Sequence, residues 1–249
     1  MKALILAAGF GKRLRPLTDT MPKSMVPVNG TPLLVNALNC LTACGIEEIG
    51  IVVGHMADYI RSAIGDAWQG VPVRYFENKE YLTTNNIYSL YQAADFCDSD
   101  MLLLECDLIY KKTMLEKLLA GQGECSILVS PFDPATMDGS VIEVVEGDKA
   151  RALILGKWQE DGFDYTHMRK TVNLYRFEKG FVQKKFIPLV RWYVANMGVN
   201  SYYEKVLGSL LYYRECDARI VEVPASMWCE IDDAEDLKRA ERHFAQPAE

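Results

Sequence analysis

Lys2-Ala-Leu-Ile-Leu-Ala-Ala-Gly9-Phe-Gly11-Lys-Arg13-Leu-Arg15-Pro-Leu-Thr18, followed closely by Pro22-Lys23-Ser-Met25, is the stretch on which the reading of this chain turns. The apolar run Ala3 to Leu6 reads as a buried strand. Beyond it the side chains shrink at Ala7, Ala8 and Gly9. A flat ring or a phosphate can therefore lie directly on the backbone and take its N–H groups as donors. Lys12, Arg13 and Arg15 then bring positive charge suited to a polyphosphate. Strand, small-residue loop and cations together predict a nucleotide site. Two familiar patterns do not apply: no third glycine follows at the dinucleotide spacing, and no Gly-Lys-Ser/Thr of a P-loop is present there.

Composition bounds the rest. A chain of 249 residues suffices for one large α/β domain, alone or with a small lobe, and its 49% hydrophobic content supports a substantial core. The net charge of −7 argues against non-specific binding of nucleic acid and against an anionic membrane surface. The N-terminal apolar run is too short for a signal peptide or a membrane span, and no later segment is long enough, so a cytoplasmic location is expected. Seven cysteines (Cys40, Cys44, Cys97, Cys106, Cys125, Cys216 and Cys229) without a Cys-x-x-Cys pattern read as free thiols in a reducing compartment. His55, His167 and His243 are too few for a histidine-rich metal centre.

Along the chain, Pro32 to Cys44 reads as a helix with Thr31 as its N-cap and Gly45 at its end. Ile49–Val53 and Val73–Phe76 read as strands on either side of a helix near Ala57–Ile64. A polar loop from Asn78 to Asn85 leads into a helix carrying Ile87, Leu90, Tyr91 and Ala94, and Met101 to Asp107 is a fourth buried strand ending in a carboxylate. Strands this apolar, alternating with helices, imply an α/β fold with a mostly parallel central sheet flanked by helices. Ligands then sit beyond the carboxyl ends of the strands, where Gly9, Asn78 and Asp107 would lie. After Pro131 the pattern predicts a hairpin (Val141–Val145 and Ala152–Leu155), a strand Thr171–Phe177, helices around Phe181–Ala195 and Ser201–Tyr213, a strand Ile220–Val223, and a last helix capped by Asp233 and running to about Phe244. The tail from Ala245 to Glu249 is expected to fray.

Leu6-Ala-Ala-Gly9-x-Gly11-x-Arg13-x-x-Pro16-Leu17-Thr18 with Pro22-Lys23 closely resembles the signature of the sugar-phosphate nucleotidyltransferase superfamily. The resemblance implies a Rossmann-like nucleotidyltransferase fold forming one domain over 1–249. Residues 1–130 would be its nucleotide-binding core. Residues 131–249 would be a smaller acceptor lobe with a late metal-ligand segment and the C-terminal helix. It also implies that Leu6, Ala7, Ala8, Gly9, Gly11, Lys12 and Arg13 wrap a nucleoside triphosphate, with Cys106 beside it. Arg13 would grip the phosphates and Lys23 would stabilise the reacting phosphoryl group. Nucleotidyl transfer brings two anions together, so charge neutralisation and alignment dominate the task. Mg²⁺ suits it, bridging phosphate oxygens while held by one or two carboxylates. Asp107 and Asp232 are the expected metal residues. No general base is needed, because the attacking dianion is already nucleophilic near neutral pH.

Two further segments narrow the reading. Thr84-Asn85-Asn86-Ile87-Tyr88-Ser89-Leu90 and Glu230-Ile-Asp232 resemble the corresponding segments of bacterial phosphocholine cytidylyltransferases, which implies CTP, with Asn86 and Ser89 near its base or ribose. Asp161-Gly-Phe-Asp-Tyr165, Lys170-Thr-Val-Asn173-Leu-Tyr175 and Asn200-Ser-Tyr-Tyr203-Glu204 resemble the 2-aminoethylphosphonate cytidylyltransferases. Lys157 is expected to hold the acceptor's anionic group, with Lys170 a rival for that role. Asn173, Tyr203 and Trp228 join them around the acceptor. A quaternary choline head favours an aromatic cage, whereas a primary ammonium offers three N–H donors to carboxylates. The loop Thr136-Met-Asp138-Gly-Ser140 is small and acidic, so Asp138, Glu204 and Glu230 are candidate ammonium partners, while Tyr202, Tyr203 and Trp228 remain available for a cage. The expected partners are CTP and a small zwitterionic phosphonate or phosphate, with no nucleic acid and no membrane, and a homodimer is allowed. The alternatives are phosphocholine as acceptor, then a hexose 1-phosphate, and, from another class, a non-catalytic nucleotide-binding regulator.

Overall fold

The computed structural model describes residues 1–135 and 137–245. Thr136, from the expected acceptor loop, and residues 246–249 of the expected frayed tail lie outside them. The chain opens with β1 (Lys2–Ala7), a short antiparallel pair β2 (Pro27–Val28) and β3 (Thr31–Pro32), and α1 (Leu33–Ala43). β4 (Glu48–Val53), α2 (Ala57–Ile64), β5 (Ala67–Trp68), β6 (Val71–Glu77) and α3 (Asn86–Gln92) follow. Then come β7 (Met101–Glu105), β8 (Leu108–Tyr110), α4 (Lys112–Leu119) and β9 (Cys125–Pro131).

β7, β1, β4 and β6 form a parallel block in which Lys2 faces both Glu48 and Met101. Alternation along β1 explains why it is apolar from Ala3 to Ala7. Leu4 and Leu6 pack into the layer containing Ile87 and Leu90 of α3, while Ala3, Ile5 and Ala7 pack into the opposite layer with Leu34 and Leu38 of α1, Ile60 of α2 and Met114 of α4. With both faces covered by helices, no position of the strand after Lys2 at its edge is left for a polar side chain.

The second half extends this sheet. β10 (Val141–Val144) and β11 (Ala150–Ile154) make the expected hairpin, and β12 (Met168–Phe177) runs antiparallel to both β10 and β7. β12 also pairs with β9, with a register shift between Thr171 and Tyr175. Asn173 sits in that irregularity with φ 57°, a left-handed conformation that asparagine tolerates better than most residues. The expected helix over Phe181–Ala195 is α5 (Lys179–Phe181), a π turn over Val182–Phe186, and α6 (Ile187–Met197). Pro188 has no N–H for an i−4 bond, which accounts for widening at this point. α7 (Glu204–Tyr212), β13 (Ala218–Glu222), β14 (Trp228–Glu230) and α8 (Ala234–Phe244) complete the fold.

Thr31 does not cap α1: it lies in β3 opposite Val28, and Pro32 precedes the helix without a side-chain cap. Asp233 does cap α8, accepting from the N–H groups of Glu235 and Asp236 at 2.8 and 3.0 Å. All seven cysteines are free thiols. Among the described residues no helix is long and apolar enough to cross a membrane.

Candidate functional site

The loop after β1 turns on Gly11, at φ +67°, where an added Cβ would lie 2.8 Å from the Cβ of Lys23. Only glycine fits both the conformation and the space. The Gly11 carbonyl accepts from Thr18 Oγ1 at 2.9 Å, which fastens the loop to the following turn. The turn places Lys23, whose side chain is largely buried, beneath the loop.

Lys23 Nζ donates to Asp107 Oδ2 at 2.9 Å and to Asp232 Oδ1 at 2.8 Å. The two aspartates, 125 residues apart by their numbers, thus share one ammonium. β8 and β14 deliver them: Glu230 pairs with Leu108, and the N–H of Ile231 donates to the carbonyl of Asp107 at 2.8 Å. Arg13 adds a second cation to Asp232 Oδ1 at 2.8 Å. Burial alone would push the Lys23 ammonium down, but the charges and hydrogen bonds of Asp107 and Asp232 outweigh it and hold it well above the usual lysine value. Burial likewise opposes ionisation of Asp232, and Lys23 and Arg13 reverse the balance, keeping its carboxyl below the usual range.

Above this triad opens a cleft of ≈ 420 Å³ whose walls include Leu6, Ala8, Gly9, Gly11, Lys12 and Arg13. Its far wall carries Asn86 and Ser89, with Asn78 donating to Ser89 Oγ at 3.1 Å and to Thr84 Oγ1 at 2.9 Å. Glu105, Asn173, Tyr202 and Glu204 close it. Asn173 is held by Thr171 Oγ1 and Tyr175 Oη, which donate to its Oδ1 at 3.0 and 3.3 Å. Asn86 ties the wall together: its Nδ2 donates to Glu105 Oε1 at 3.2 Å and Glu204 Oε2 at 3.0 Å, and its Oδ1 accepts from the N–H of Tyr203 at 3.0 Å. Burial, then the charges of Asp107 and Glu204, push the Glu105 carboxyl well up. Burial pushes that of Glu204 up to about 7 against the hydrogen bonds that favour its ionised form.

Four expected acceptor residues lie next door. Asp138, Lys170, Trp228 and Glu230 line a second cavity of ≈ 680 Å³, which shares Arg13 and Asp232 with the first. There Lys170 Nζ stands 3.4 Å from Glu230 Oε2. Burial raises the Glu230 carboxyl despite that lysine. Lys157 is on neither wall; its Nζ lies 5.6 and 5.5 Å from the ring centroids of Trp158 and Tyr202.

Three expected side chains face elsewhere. Cys106 and Ala7 point into the apolar layer opposite the cleft, because side chains alternate along a strand: Glu105 and Asp107 face the cleft, and Cys106 between them cannot. Burial accordingly raises the Cys106 thiol above the cysteine range. Tyr203 is fully buried against Tyr175 and Phe186, and its neighbour Tyr202 takes the cleft wall. Glu105 was not foreseen. Its position two residues before Asp107 on an extended segment is the signal that places it on the same face.

Among the described residues no group of three or more His, Cys, Asp or Glu is arranged to hold a metal. Asp107 and Asp232 offer two carboxylates, the number Mg²⁺ commonly takes beside phosphate oxygens. Asp107 Oδ1 is buried without a hydrogen-bond partner, an orphaned acceptor that fits a cation ligand.

Residues 2–151 match the family described as nucleotidyl transferase. The chain is 30% identical over 250 residues to the CMP-5′-(3-aminopropyl)phosphonate synthase of Streptomyces rubellomurinus, a match covering all of this chain and 40% of that one. It is 39% identical over 108 residues to the 2-aminoethylphosphonate cytidylyltransferase of Lancefieldella rimae, covering 43% of each. These matches span less than half the length of either relative. The solved CTP:phosphocholine cytidylyltransferase of Streptococcus pneumoniae superposes with a TM-score of 0.77 over 97% of each chain at 23% identity, which shows the shared fold.

Proposed function

The chain belongs to the nucleotidyl transferase family, and from that premise we propose that it transfers CMP from CTP to 2-aminoethylphosphonate, releasing pyrophosphate. The observation that carries the reading is the convergence of Lys23, Asp107 and Asp232 at the foot of the Gly9–Gly11 loop. In the reaction a phosphonate oxygen forms a bond to the α-phosphorus of CTP. The bond from that phosphorus to the bridging oxygen breaks, and pyrophosphate leaves with the electron pair. Both reactants are anions, so the chain must supply positive charge and alignment rather than a base.

Lys12 and Arg13 stand on the cleft wall to take the triphosphate, and Lys23 lies where loop and carboxylates meet. Asp107 and Asp232 would hold Mg²⁺, which when bound neutralises charge on the phosphate oxygens. Lys170, buried at the edge of the adjoining cavity, and Lys157, between two rings, are the cations proposed for the acceptor's anionic end. Cytidine and an aminophosphonate acceptor are supported by the names of the Streptomyces and Lancefieldella relatives. Phosphocholine is the second reading, favoured by the exposed Trp158 and the Tyr202 ring near the cleft.

The test is pyrophosphate release by the purified protein with Mg²⁺, using CTP or UTP against 2-aminoethylphosphonate, phosphocholine or glucose 1-phosphate. The expected best pair is CTP with the aminophosphonate. Faster turnover with phosphocholine would replace the acceptor, and calorimetric CTP binding without pyrophosphate from any acceptor would make the chain a regulator.

A further inference from the structure

Four carboxylates line the main cleft: Glu105, Asp107, Glu204 and Asp232. The two aspartates share Lys23. Outside the cleft, Glu230 faces Lys170. Among the described residues neither Glu105 nor Glu204 has a cation within ion-pair distance, although Glu204 is only 6% exposed. Both accept instead from a neutral donor, the amide of Asn86. The Tyr203 hydroxyl, on a fully buried ring, lies beside Glu105 and is another neutral group there. Two carboxyls whose ionised forms no cation of the chain compensates therefore meet at one end of a cavity. Burying such charge without compensation is expensive.

We propose that Glu105 and Glu204, spaced by Asn86, are the counter-charge for the primary ammonium of the acceptor and decide its selection over acceptors without an amine. The assignment rests on the aminophosphonate reading above. Among Asp138, Glu204 and Glu230, it chooses Glu204, because Glu230 already faces a lysine and Asp138 lines the other cavity. An ammonium carries three N–H donors and a full charge, so it can satisfy both carboxylates at once. A cytosine amino group or a ribose hydroxyl would leave the charge uncompensated. A trimethylammonium has no donor to offer. Asn86 presents the pair rigidly, since its own oxygen is fixed by the Tyr203 N–H.

The test compares 2-aminoethylphosphonate with n-propylphosphonate, in which a methyl replaces the ammonium, by pyrophosphate release from CTP. The readout is the ratio of the two kcat/KM values in the wild type, in Glu204→Gln and in Glu105→Gln/Glu204→Gln, with thermal melting and CTP titration as folding controls. Loss of a charge-assisted contact predicts a ratio lower by roughly ten-fold in the single variant and lower again in the double variant. A wild type that prefers the amine, with variants that keep the full preference, overturns the pair's assignment alone. A wild type that turns over both compounds equally overturns the acceptor reading and this assignment with it. Should Glu204→Gln fail to fold, Glu105→Gln alone gives the same comparison.

Discussion

Replacing Lys23 by methionine removes the one ammonium that Asp107 and Asp232 share while keeping most of the side chain's packing. Lys23 is 12% exposed and the aspartates 21% and 23%, so the cluster is largely shielded but still within reach of water. Breaking a buried ion pair costs about 3–5 kcal/mol when the remaining charge is stranded. Here Asp232 keeps Arg13, whose side chain is 65% exposed and screened, and among the described residues Asp107 keeps no ion-pair partner. A loss of about 2–3 kcal/mol follows, which for a chain of this size lowers Tm by about 4–12 °C. Differential scanning calorimetry near pH 7.5, with and without Mg²⁺, measures it. If the aspartates form a cation site, Mg²⁺ should raise the Tm of Lys23→Met more than that of the wild type, because it replaces the missing charge. CMP transfer should fall by about a hundred-fold or more, the usual scale for removing a preorganised charge. A variant that melts with the wild type and turns over CTP at its rate would refute the argument that Lys23 holds the site together.

The remaining predictions address the loop, the carboxylates and their protonation. Gly11→Ala forces a left-handed alanine, costing about 1–2 kcal/mol, and drives its methyl against Lys23 Cβ; calorimetric CTP affinity should drop with the Tm, and unchanged affinity would mean the loop is not the cradle. Asp107→Ala and Asp232→Ala should each abolish turnover with little change in far-ultraviolet circular dichroism, and near-normal turnover in either would remove that residue from the metal pair. The Glu204 carboxyl titrates at about 7 in the fold against an ordinary 4.5, so the native state holds more protons and stability falls as pH rises from about 4.5 through about 7. Glu204→Gln escapes this loss, and urea unfolding should show it gaining about 2 kcal/mol on the wild type between pH 5 and pH 8. An equal gap at both values would show that burial does not disfavour the Glu204 charge.

What could be read from the sequence is what is local. Gly11, Arg13 and Lys23 stand within a dozen residues, and strand, small loop and cation succeed one another as a pattern that needs no tertiary partner. The helix Ala57–Ile64 and the Asp233 cap were legible for the same reason. α4 and β9 went unread although Cys125–Ser130 is a short run between Gly123 and Pro131 that fits a buried strand. β8 and β14 are three residues each, too short for any periodicity, yet their pairing is what brings Asp232 to Asp107. The Thr31 cap failed because β3 claims that residue first.

Choosing between Tyr202 and Tyr203 depends on the turn by which the chain enters α7, and adjacent aromatics carry no mark of it. Cys106 was recoverable: a period of two along Glu105-Cys106-Asp107 separates the thiol from the two carboxylates. Following that alternation would also have disclosed Glu105. No pattern in the sequence shows that of the four acids in the cleft two are neutralised by a lysine and two are not. That difference depends on which side chains arrive from residues 23, 86 and 204. It is nevertheless what separates a site able to hold phosphate charge from one that asks for an ammonium. On the proposed assignment, selection of the acceptor is written in how the chain packs its charges more than in which charges it carries.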